Sequence, residues 1–220
     1  MEGQLVFWSV NVPDVPRAKV FFTELFGWAY SEPGPSGAVR LEDRTAAFHP
    51  SGYKDPADLW VSVGDMAATV ARVRELGGTA DDPMDTPYGA SSRFAEPGGL
   101  RAGLSCNPDG PTLLGAPRGH GELLACTLSS SDVERSAAFV TGVFGWTLQG
   151  PAERRAVDGL LPPTVLVDAG VQEGVFTFGV DDLEQAAATV RRLGGTAERT
   201  GDRVAATDDQ GYRFSLAPHA

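Results

Sequence analysis

Side chains able to move a proton at neutral pH are few in this chain of 220 residues. Its three histidines are His49, His120 and His219. His49 precedes a proline at the end of a predicted strand, and an imidazole with an unperturbed pKa of about 6.5 suits general acid or base chemistry. Asp58 follows it and offers a carboxylate. We therefore take His49 and Asp58 as the candidate catalytic pair, with a surface histidine and a loop carboxylate as the alternative interpretation.

Two arginines and one tryptophan are candidates for holding a ligand. Arg101 and Arg213 occupy the same place in two similar segments, AEPGGLRAGL and TDDQGYRFSL. A fixed guanidinium there can hold a carboxylate, enolate or phosphate through two parallel hydrogen bonds, and a solvated strand end is the alternative. Trp60 lies in the alternating stretch LWVSV, where an indole ring provides a flat surface for an aromatic ligand.

A repeat organises the elements that must position these groups. Residues 7–28 predict an alternating strand, an amphipathic helix capped by Asp14 and a helix stop at Gly27, and residues 125–146 repeat this order with Asp132 and Gly145. Fainter copies with a Gly-Gly stop occupy residues 59–78, where Asp65 is the cap, and 176–195, where the cap is either Asp181 or Asp182. The segments after each helix, broken by Pro, Gly and Asp, suit three hairpin-linked strands. The sequence therefore predicts four strand–helix–three-strand modules in two pairs.

The composition disfavours some classes of binding partner and indicates the cellular compartment. A formal charge of -11 without a run of Lys or Arg disfavours nucleic acid and anionic membranes. No apolar run reaches the roughly 20 residues of a membrane span, and the first residues lack a signal-peptide pattern. The two cysteines, Cys106 and Cys126, predict no disulfide framework and fit a reduced compartment. Strand alternation places both on the helix-facing side, where we expect small buried hydrophobes. We expect a cytoplasmic protein with domains at residues 1–106 and 122–220, joined by a Pro- and Gly-rich linker at 107–121.

The order of these modules, the helices ending in LFGW and VFGW, the later Gly-Gly pairs and the two terminal turns resemble one superfamily. It is the glyoxalase, bleomycin-resistance and extradiol-dioxygenase superfamily, also called vicinal oxygen chelate proteins, and the resemblance is greatest to bacterial tandem glyoxalase-like proteins. It implies an α+β fold of two tandem glyoxalase-like domains. Each would pair two βαβββ modules into a curved mixed sheet that forms a cup, with helices outside and the ligand inside.

Given such a cup, the period-two alternation of strands assigns the side chains that face the ligand. Apolar residues such as Trp8, Val61 and Leu104 should then pack against the helices. The predicted substrate-binding residues on the inner side are Phe7, Ser9, Asn11, Trp60, Ser62, Arg101 and Arg213. The inner positions of the second repeat, among them Thr177 and Ser215, are smaller and predict a less distinctive cup.

The resemblance also implies where a divalent metal would be held. The corresponding positions are Phe7, Asp58 and Gly103 in the first repeat and Ala125, Val175 and Ser215 in the second. A catalytic metal needs three or four imidazole or carboxylate ligands. One carboxylate in six positions, even with His49 on a neighbouring strand, does not supply them. The sequence therefore predicts no metal and no cofactor.

Three functions remain open, because the superfamily contains isomerases, lyases, dioxygenases and drug-sequestering proteins, and a fold does not by itself give a function. The first is metal-free binding of a small molecule, either an aromatic or an antibiotic-like metabolite. The second is a metal-independent isomerase, cyclase or lyase of secondary metabolism. The third is a glyoxalase-like lyase or dioxygenase with atypical metal ligands. A monomer is favoured over a homodimer, because the tandem chain already supplies two domains.

Overall fold

The computed structural model describes most of the chain. The described residues are 3–34, 37–42, 46–50, 57–87, 89–109, 113–114, 119–170 and 175–219, with the side chains of 57 and 58 left out. The helices among them are α1 (Val15–Phe26), α2 (Met66–Glu75), α3 (Val133–Phe144) and α4 (Leu183–Arg192). Within these ranges, none of the helices is long and apolar enough to cross a membrane.

Each helix begins at an aspartate whose carboxylate accepts a hydrogen bond from a backbone N–H of the first turn, as the sequence predicts. The four caps are Asp14, Asp65, Asp132 and Asp182, with oxygen–nitrogen distances of 2.9–3.0 Å. The sequence had left Asp181 and Asp182 open as the cap of α4, and Asp182 holds that place. Helices α1 and α3 end at Gly27 and Gly145, both in the left-handed region with φ of 70°.

Two mixed sheets follow the two sequence repeats. The first contains β1 (Leu5–Val12), β2 (Val39–Arg40), β3 (Ala46–Pro50), β4 (Ala57–Ser62), β5 (Thr79–Ala80), β6 (Met84–Thr86), β7 (Gly89–Ala95) and β8 (Arg101–Cys106). The second contains β9 (Leu123–Ser130), β10 (Leu148–Gln149), β11 (Arg154–Val157), β12 (Thr164–Asp168), β13 (Phe176–Val180), β14 (Thr196–Thr200), β15 (Arg203–Thr207) and β16 (Arg213–Pro218). Their strand orders are β2-β3-β1-β4-β8-β7-β5, with β6 beside β7, and β10-β11-β12-β9-β13-β16-β15-β14.

The number of strands after each helix differs between the repeats. The third and fourth modules carry the predicted three strands. In the first module, among the residues described, β2 and β3 are preceded by an isolated bridge between Tyr30 and Leu41 instead of a full strand. In the second module β5 and β6 both pair with β7. Pro83 separates β5 from β6, and since proline has no N–H to donate to a ladder, the strand is interrupted there.

Contacts divide the chain into two compact units. Unit 1 comprises Met1–Phe7, Asp58–Leu114 and Leu128–Gln172, and unit 2 comprises Trp8–Ala57, Gly115–Thr127 and Glu173–Ala220. Each unit therefore combines one module of the first repeat with one module of the second. The domain division at residues 107–121 follows the sequence repeat and stays a prediction.

Aromatic side chains fill the core of each unit. In unit 2 the Trp8 ring lies 5.3 Å from Phe176, and Phe22 lies 5.5 Å from both Trp28 and Phe214, as centroid distances. In unit 1 the cluster is smaller and is formed by Phe94, Phe139, Phe144 and Trp146. The residues predicted to pack against the helices are buried accordingly, with Trp8, Val61 and Leu104 exposed by 3% or less.

The two cysteines differ in burial. Cys126 is fully buried, as its place in the strand predicts, whereas Cys106 is half-buried and lies 3.5 Å from the carbonyl oxygen of Gly64. Both are free thiols. The expectation that Cys106 is a buried hydrophobe was wrong, because it is the last residue of β8 and only its inner neighbours are covered.

Candidate functional site

Three of the predicted binding residues, Trp60, Ser62 and Arg101, lie on two adjacent strands of unit 1, β4 and β8, and β7 lies beside β8. Trp60 on β4 is in register with Gly103 on β8, and Gly103 is in register with Arg93 on β7. The next row consists of Ser62, Ser105 and Ser91, and Arg101 lies on β8 two positions before Gly103. We call this surface, formed by Trp60, Ser62, Ser91, Arg93, Arg101, Gly103 and Ser105, the tryptophan face.

The Trp60 ring lies across the backbone of Gly103. A Cβ atom built on Gly103 would come within 2.2–2.6 Å of three atoms of the indole. Real Cβ contacts are not this short, so only glycine permits the ring to lie there. Trp60 therefore occupies the space that a side chain at position 103 would need.

Arg93 completes the row on the other side of Gly103. Its Cζ atom lies 5.6 Å from the centroid of the Trp60 ring, within the range in which a guanidinium is attracted to an indole face. The indole Nε1 of Trp60 is buried and has no hydrogen-bond partner among the described residues. Trp60 as a whole is half-buried, while Trp8, Trp28 and Trp146 are exposed by 3–6%. Trp60 is thus the most accessible of the four tryptophans.

The matching positions of the second repeat carry different side chains. Thr177 stands in place of Trp60, Ser215 in place of Gly103 and Ala205 in place of Arg93, in the same register. Thr177 is 2% exposed and Ser215 is 8% exposed. Unit 2 therefore has neither the aromatic surface nor the cation at these positions, in line with the smaller side chains that the sequence shows there.

The chain is similar to a glyoxylase-like domain-containing protein from Didymella fabae, with 30% identity over 90 residues, which are 34% of this chain and 70% of that protein. The chain belongs to the glyoxalase-like, or vicinal oxygen chelate, superfamily. This confirms the resemblance found in its modules and turns. None of the family models compared matches the chain.

Solved structures agree with this assignment at the level of fold. The 2,3-dioxygenase LapB from Pseudomonas sp. KL28 has a TM-score of 0.67 and 18% identity, covering 100% of this chain and 94% of its own. Homoprotocatechuate 2,3-dioxygenase from Arthrobacter globiformis has a TM-score of 0.70 and 15% identity, covering 99% and 80%. The predicted α+β fold with two tandem pairs of modules is thereby confirmed.

The glyoxalase-like fold implies a divalent metal, and the described residues do not fit one. Of the positions that the resemblance assigns to ligands, Phe7, Gly103, Ala125 and Val175 carry no donor side chain, and the Trp60 ring fills the space beside Gly103. Ser215 offers only a hydroxyl. No group of three His, Cys, Asp or Glu side chains suited to a metal occurs in the described part of the chain.

The remaining predicted site residues are divided between the units. Phe7 is half-buried in unit 1. In unit 2, Asn11 on β1 is in register with His49 on β3, so this histidine lies beside a buried amide. Ser9 is 1% exposed, and Arg213 is exposed on β16.

Asp58 belongs to β4, two residues before Trp60. Its side chain lies outside the described residues, so its predicted catalytic role stays a prediction, as does that of His49.

Arg93 was missed by the reasoning from sequence. The signal was present in the alternation of GASSRFA, because Ser92 and Phe94 are buried and Arg93 between them points to the opposite side of β7. Assigning it to the tryptophan face required the register of β7 with β8, which a single sequence does not provide.

The acidic groups with altered pKa belong to unit 2, in the turn before β16. Burial raises the pKa of the Asp208 carboxyl, although the backbone N–H groups of Tyr212 and Gln210 oppose the rise. Burial also raises the pKa of the Tyr212 phenol well above its usual value. Asp208 Oδ1 accepts hydrogen bonds from these two N–H groups at 2.8 and 2.9 Å. Their arrangement supports the turn, and we assign it a structural role.

The two other histidines meet at one aspartate of unit 2. His219 Nε2 contacts Asp181 Oδ1, and His120 Nδ1 accepts a hydrogen bond from the backbone N–H of Asp181 at 3.2 Å. His120 Nε2 lies 3.1 Å from the carbonyl oxygen of Leu25. Both ring nitrogens of His120 therefore have hydrogen-bonding partners. The histidine connects the linker to α1, and neither nitrogen is left to bind a metal or a small molecule.

Proposed function

We propose that this glyoxalase-like protein binds a small aromatic molecule on the tryptophan face of unit 1 without the help of a metal. The observation that carries the proposal is the position of the Trp60 ring over Gly103. It fills a place where the superfamily holds a metal ligand and offers an aromatic surface instead. Stacking on an indole is favourable for aromatic ligands by about 0.5–1.5 kcal/mol beyond the burial of their area.

The polar groups around the Trp60 ring support specific binding of a small molecule over unspecific hydrophobic adhesion to the indole. Ser105 and Ser91 lie in the row beside Trp60, and two guanidinium groups lie on the same face. An aromatic surface beside convergent polar groups that can fix the orientation of a ligand is a feature of small-molecule sites. The charge of -11 argues against nucleic acid as a partner, and we propose that the protein acts as a monomer in the cytoplasm.

The test uses tryptophan fluorescence, since Trp60 is the accessible tryptophan. A panel of aromatic probes, including 2-naphthylmethanol, is titrated into wild-type protein, Trp60→Ala and the control Thr177→Val, which changes the matching position of unit 2. We expect quenching and binding in the wild type and the control, and a loss of affinity of several-fold or more in Trp60→Ala. Equal affinities in all three proteins would remove the tryptophan face as the site.

Metal content distinguishes this proposal from metal-dependent activity. Protein purified without chelator is subjected to elemental analysis, and its melting temperature is measured with added zinc, nickel, manganese or ferrous iron. We expect no stoichiometric metal and no stabilisation. One equivalent of a bound divalent ion, or a clear rise in the melting temperature with one metal, would favour a metal enzyme instead.

A further inference from the structure

We infer that the contact between the turn before β16 and the start of α1 is a pH-sensitive joint of unit 2, which is closed while the Asp208 carboxyl is neutral and loosens when it ionises. We call this contact the Asp208 joint, and it consists of residues 208–212 with Asp14 and Arg17. The equivalent contact of unit 1 joins residues 96–100 to the start of α3. The two contacts differ in how they treat their buried carboxyl group.

In unit 1 the buried carboxylate meets a donor at each oxygen. Ser136 Oγ donates to Glu96 Oε1 at 2.6 Å, and Ser130 Oγ lies 2.6 Å from Ser136 Oγ. Glu96 is 3% exposed, and its two oxygens also accept hydrogen bonds from the N–H groups of Gly98 and Leu100. An ionised carboxylate only accepts hydrogen bonds, so this arrangement of donors suits the charged form.

Glycine at position 98 makes the convergence of these groups possible. A Cβ atom there would lie 2.5 Å from Ser130 Oγ, 2.7 Å from Glu96 Oε1 and 2.9 Å from Ser136 Oγ. Real Cβ atoms do not make contacts this short. Any other residue at this position would therefore push the hydroxyls and the carboxylate apart.

Unit 2 lacks both the glycine and the hydroxyls. Gln210 stands in place of the glycine, and Val12 and Ala18 stand in place of the two serines. Asp208 Oδ1 accepts hydrogen bonds from the N–H groups of Gln210 and Tyr212 at 2.9 and 2.8 Å. Its Oδ2 is buried and has no partner among the described residues, and Asp208 as a whole is 3% exposed. A buried carboxylate with an unmatched oxygen is costly, and a neutral carboxyl group at the same place costs much less.

The groups around Asp208 also favour its neutral form. Burial is the largest cause that raises the pKa of its carboxyl, and the Asp209 carboxylate raises it further against the N–H groups of the turn. Asp14 and Arg17 contact the turn from α1. Asp209 raises the pKa of the Arg17 guanidinium most, and Asp208 raises it least among the acidic neighbours of Arg17. The buried Tyr212 phenol stays neutral, because burial raises its pKa as well. Arg17 therefore compensates mainly Asp209.

Exposed contacts hold the Asp208 joint together. Gln210 Oε1 accepts the N–H of Asp14 at 2.8 Å, and Gln210 Nε2 donates to the carbonyl oxygen of Asp14 at 3.0 Å. Arg17 Nη2 donates to the carbonyl oxygen of Asp209 at 3.0 Å, from a side chain that is 55% exposed. Exposed polar contacts contribute little to stability, so this joint can open locally while the rest of unit 2 stays folded. Ionisation of Asp208 favours the open form, because opening lets water reach the charged oxygen.

The experiment measures hydrogen–deuterium exchange of the full chain by mass spectrometry. Protection factors, which correct for the intrinsic pH dependence of exchange, are compared for peptides of residues 206–214 and 94–102. The proton on Asp208 stabilises the closed joint fully below the unfolded pKa of about 3.9, and this stabilisation is lost as pH rises through the folded pKa. We expect protection at 206–214 to fall by about threefold or more from about pH 4 to about pH 8. Protection at 94–102 should not fall, because the donors around Glu96 suit its ionised form.

Two variants assign the effect to one carboxyl group. In Asp208→Asn the side chain is neutral at every pH, so protection at 206–214 should stay level. Asp202→Asn removes the same charge from an exposed turn of unit 2 and should keep the fall.

Three outcomes would overturn the inference. They are level or rising protection at 206–214 in the wild type, a fall of equal size in both peptides, and the same fall in Asp208→Asn as in the wild type. Should Asp208→Asn fail to fold, the wild type alone decides, because both turns are compared in one sample.

Discussion

The absence of one side chain at position 103 shapes the candidate site. Glycine leaves room for the Trp60 indole, whose atoms would lie as close as 2.2 Å to a Cβ atom there. In an ordinary strand a glycine weakens the packing, and here the loss is offset by the contact of an aromatic ring with the backbone. The glycine that would weaken an ordinary strand therefore lies in the same row of the sheet as the aromatic ring for which it makes room.

The substitution Gly103→Ala tests this contact. The added methyl group forces the indole away, and overpacking of this kind costs about 1–3 kcal/mol of unfolding free energy. In a Trp60→Ala background the same substitution should cost little, because the clashing ring is gone. Chemical denaturation of the four proteins of this cycle measures the coupling, and a coupling energy near zero would contradict the contact.

Two buried carboxyl groups lie at equivalent turns of the two units and differ in how completely their oxygens are hydrogen-bonded. Glu96 in unit 1 accepts hydrogen bonds from Gly98 and Leu100 N–H and from Ser136 Oγ at 2.6 Å. Asp208 in unit 2 accepts two backbone bonds with Oδ1, but its Oδ2 is buried and has no partner among the described residues. At the position of α1 that matches Ser136 of α3, unit 2 carries Ala18, which has no hydroxyl to donate.

Stability should therefore depend on pH through Asp208, whose pKa burial raises. The folded state binds the proton more tightly than the unfolded state, whose pKa is about 3.9. The resulting stabilisation is complete below that value and is lost as pH rises through the folded pKa. We expect the stability of the wild type relative to Asp208→Asn to fall as pH increases. Urea unfolding of both proteins over that range provides the measurement, and a constant difference would contradict the prediction.

The hydroxyl of Ser136 gives a matched test in unit 1. Ser136→Ala removes one of the three donors to the buried Glu96 carboxylate, and the loss of a hydrogen bond to a charged group costs about 1.5–3 kcal/mol. Ser129→Ala, at an exposed position of β9, should stay within about 0.5 kcal/mol of the wild type. Thermal unfolding of both variants shows whether the loss is specific, and equal melting temperatures would disprove it.

At the scale of the elements, the tryptophans after α1 and α3 connect each helix end to another segment of the chain through a hydrogen bond. Trp28 Nε1 donates to the carbonyl oxygen of Gly121 at 3.1 Å, just before β9, and Trp146 Nε1 donates to that of Gly3 at 2.8 Å, just before β1. Each helix end therefore holds the entry to the first strand of the other repeat. These contacts give Trp28 and Trp146 a structural role.

The backbone at these contacts can be probed with Gly121→Ala. Gly121 has φ of 73°, and a Cβ atom there would lie 2.8 Å from Trp28 Nε1. Gly159 has φ of 72° with nothing within 4 Å, so Gly159→Ala reports the cost of the backbone conformation alone, about 1–2 kcal/mol. Denaturation should show a larger loss for Gly121→Ala. Equal losses would mean that the indole contact contributes nothing.

At the scale of the whole molecule, each compact unit is assembled from both sequence repeats. Within unit 1 the rings of Phe94 and Phe139 stack with centroids 6.1 Å apart, and Arg72 Nε donates to the carbonyl oxygen of Gly142 at 3.1 Å. Within unit 2 Arg17 binds Asp209, and Gln210 Oε1 accepts the backbone N–H of Asp14 at 2.8 Å. Neither half of the sequence contains a complete unit.

Separation of the repeats should therefore leave two dependent fragments. We expect residues 1–114 and 115–220, produced together from separate genes, to copurify with native-like circular dichroism, because each unit needs segments of both. Produced alone, each fragment should be unfolded or self-associated, since its apolar helix and sheet surfaces lose their partners. Two stable monomeric fragments would instead support independent domains divided at residues 107–121.

Local patterns in the sequence determined the modules, the Asp-capped helices, their glycine stops and the buried sides of the strands, because each depends on neighbours a few residues apart. The same patterns placed Trp60 and Arg101 on one side of their strands. The tertiary structure alone decided that Arg93 lies beside Trp60, that the indole covers Gly103, and that each unit takes one module from each repeat. These three features depend on strand register and on packing between segments distant in sequence. The alternation of side chains within a single strand carries no information about either.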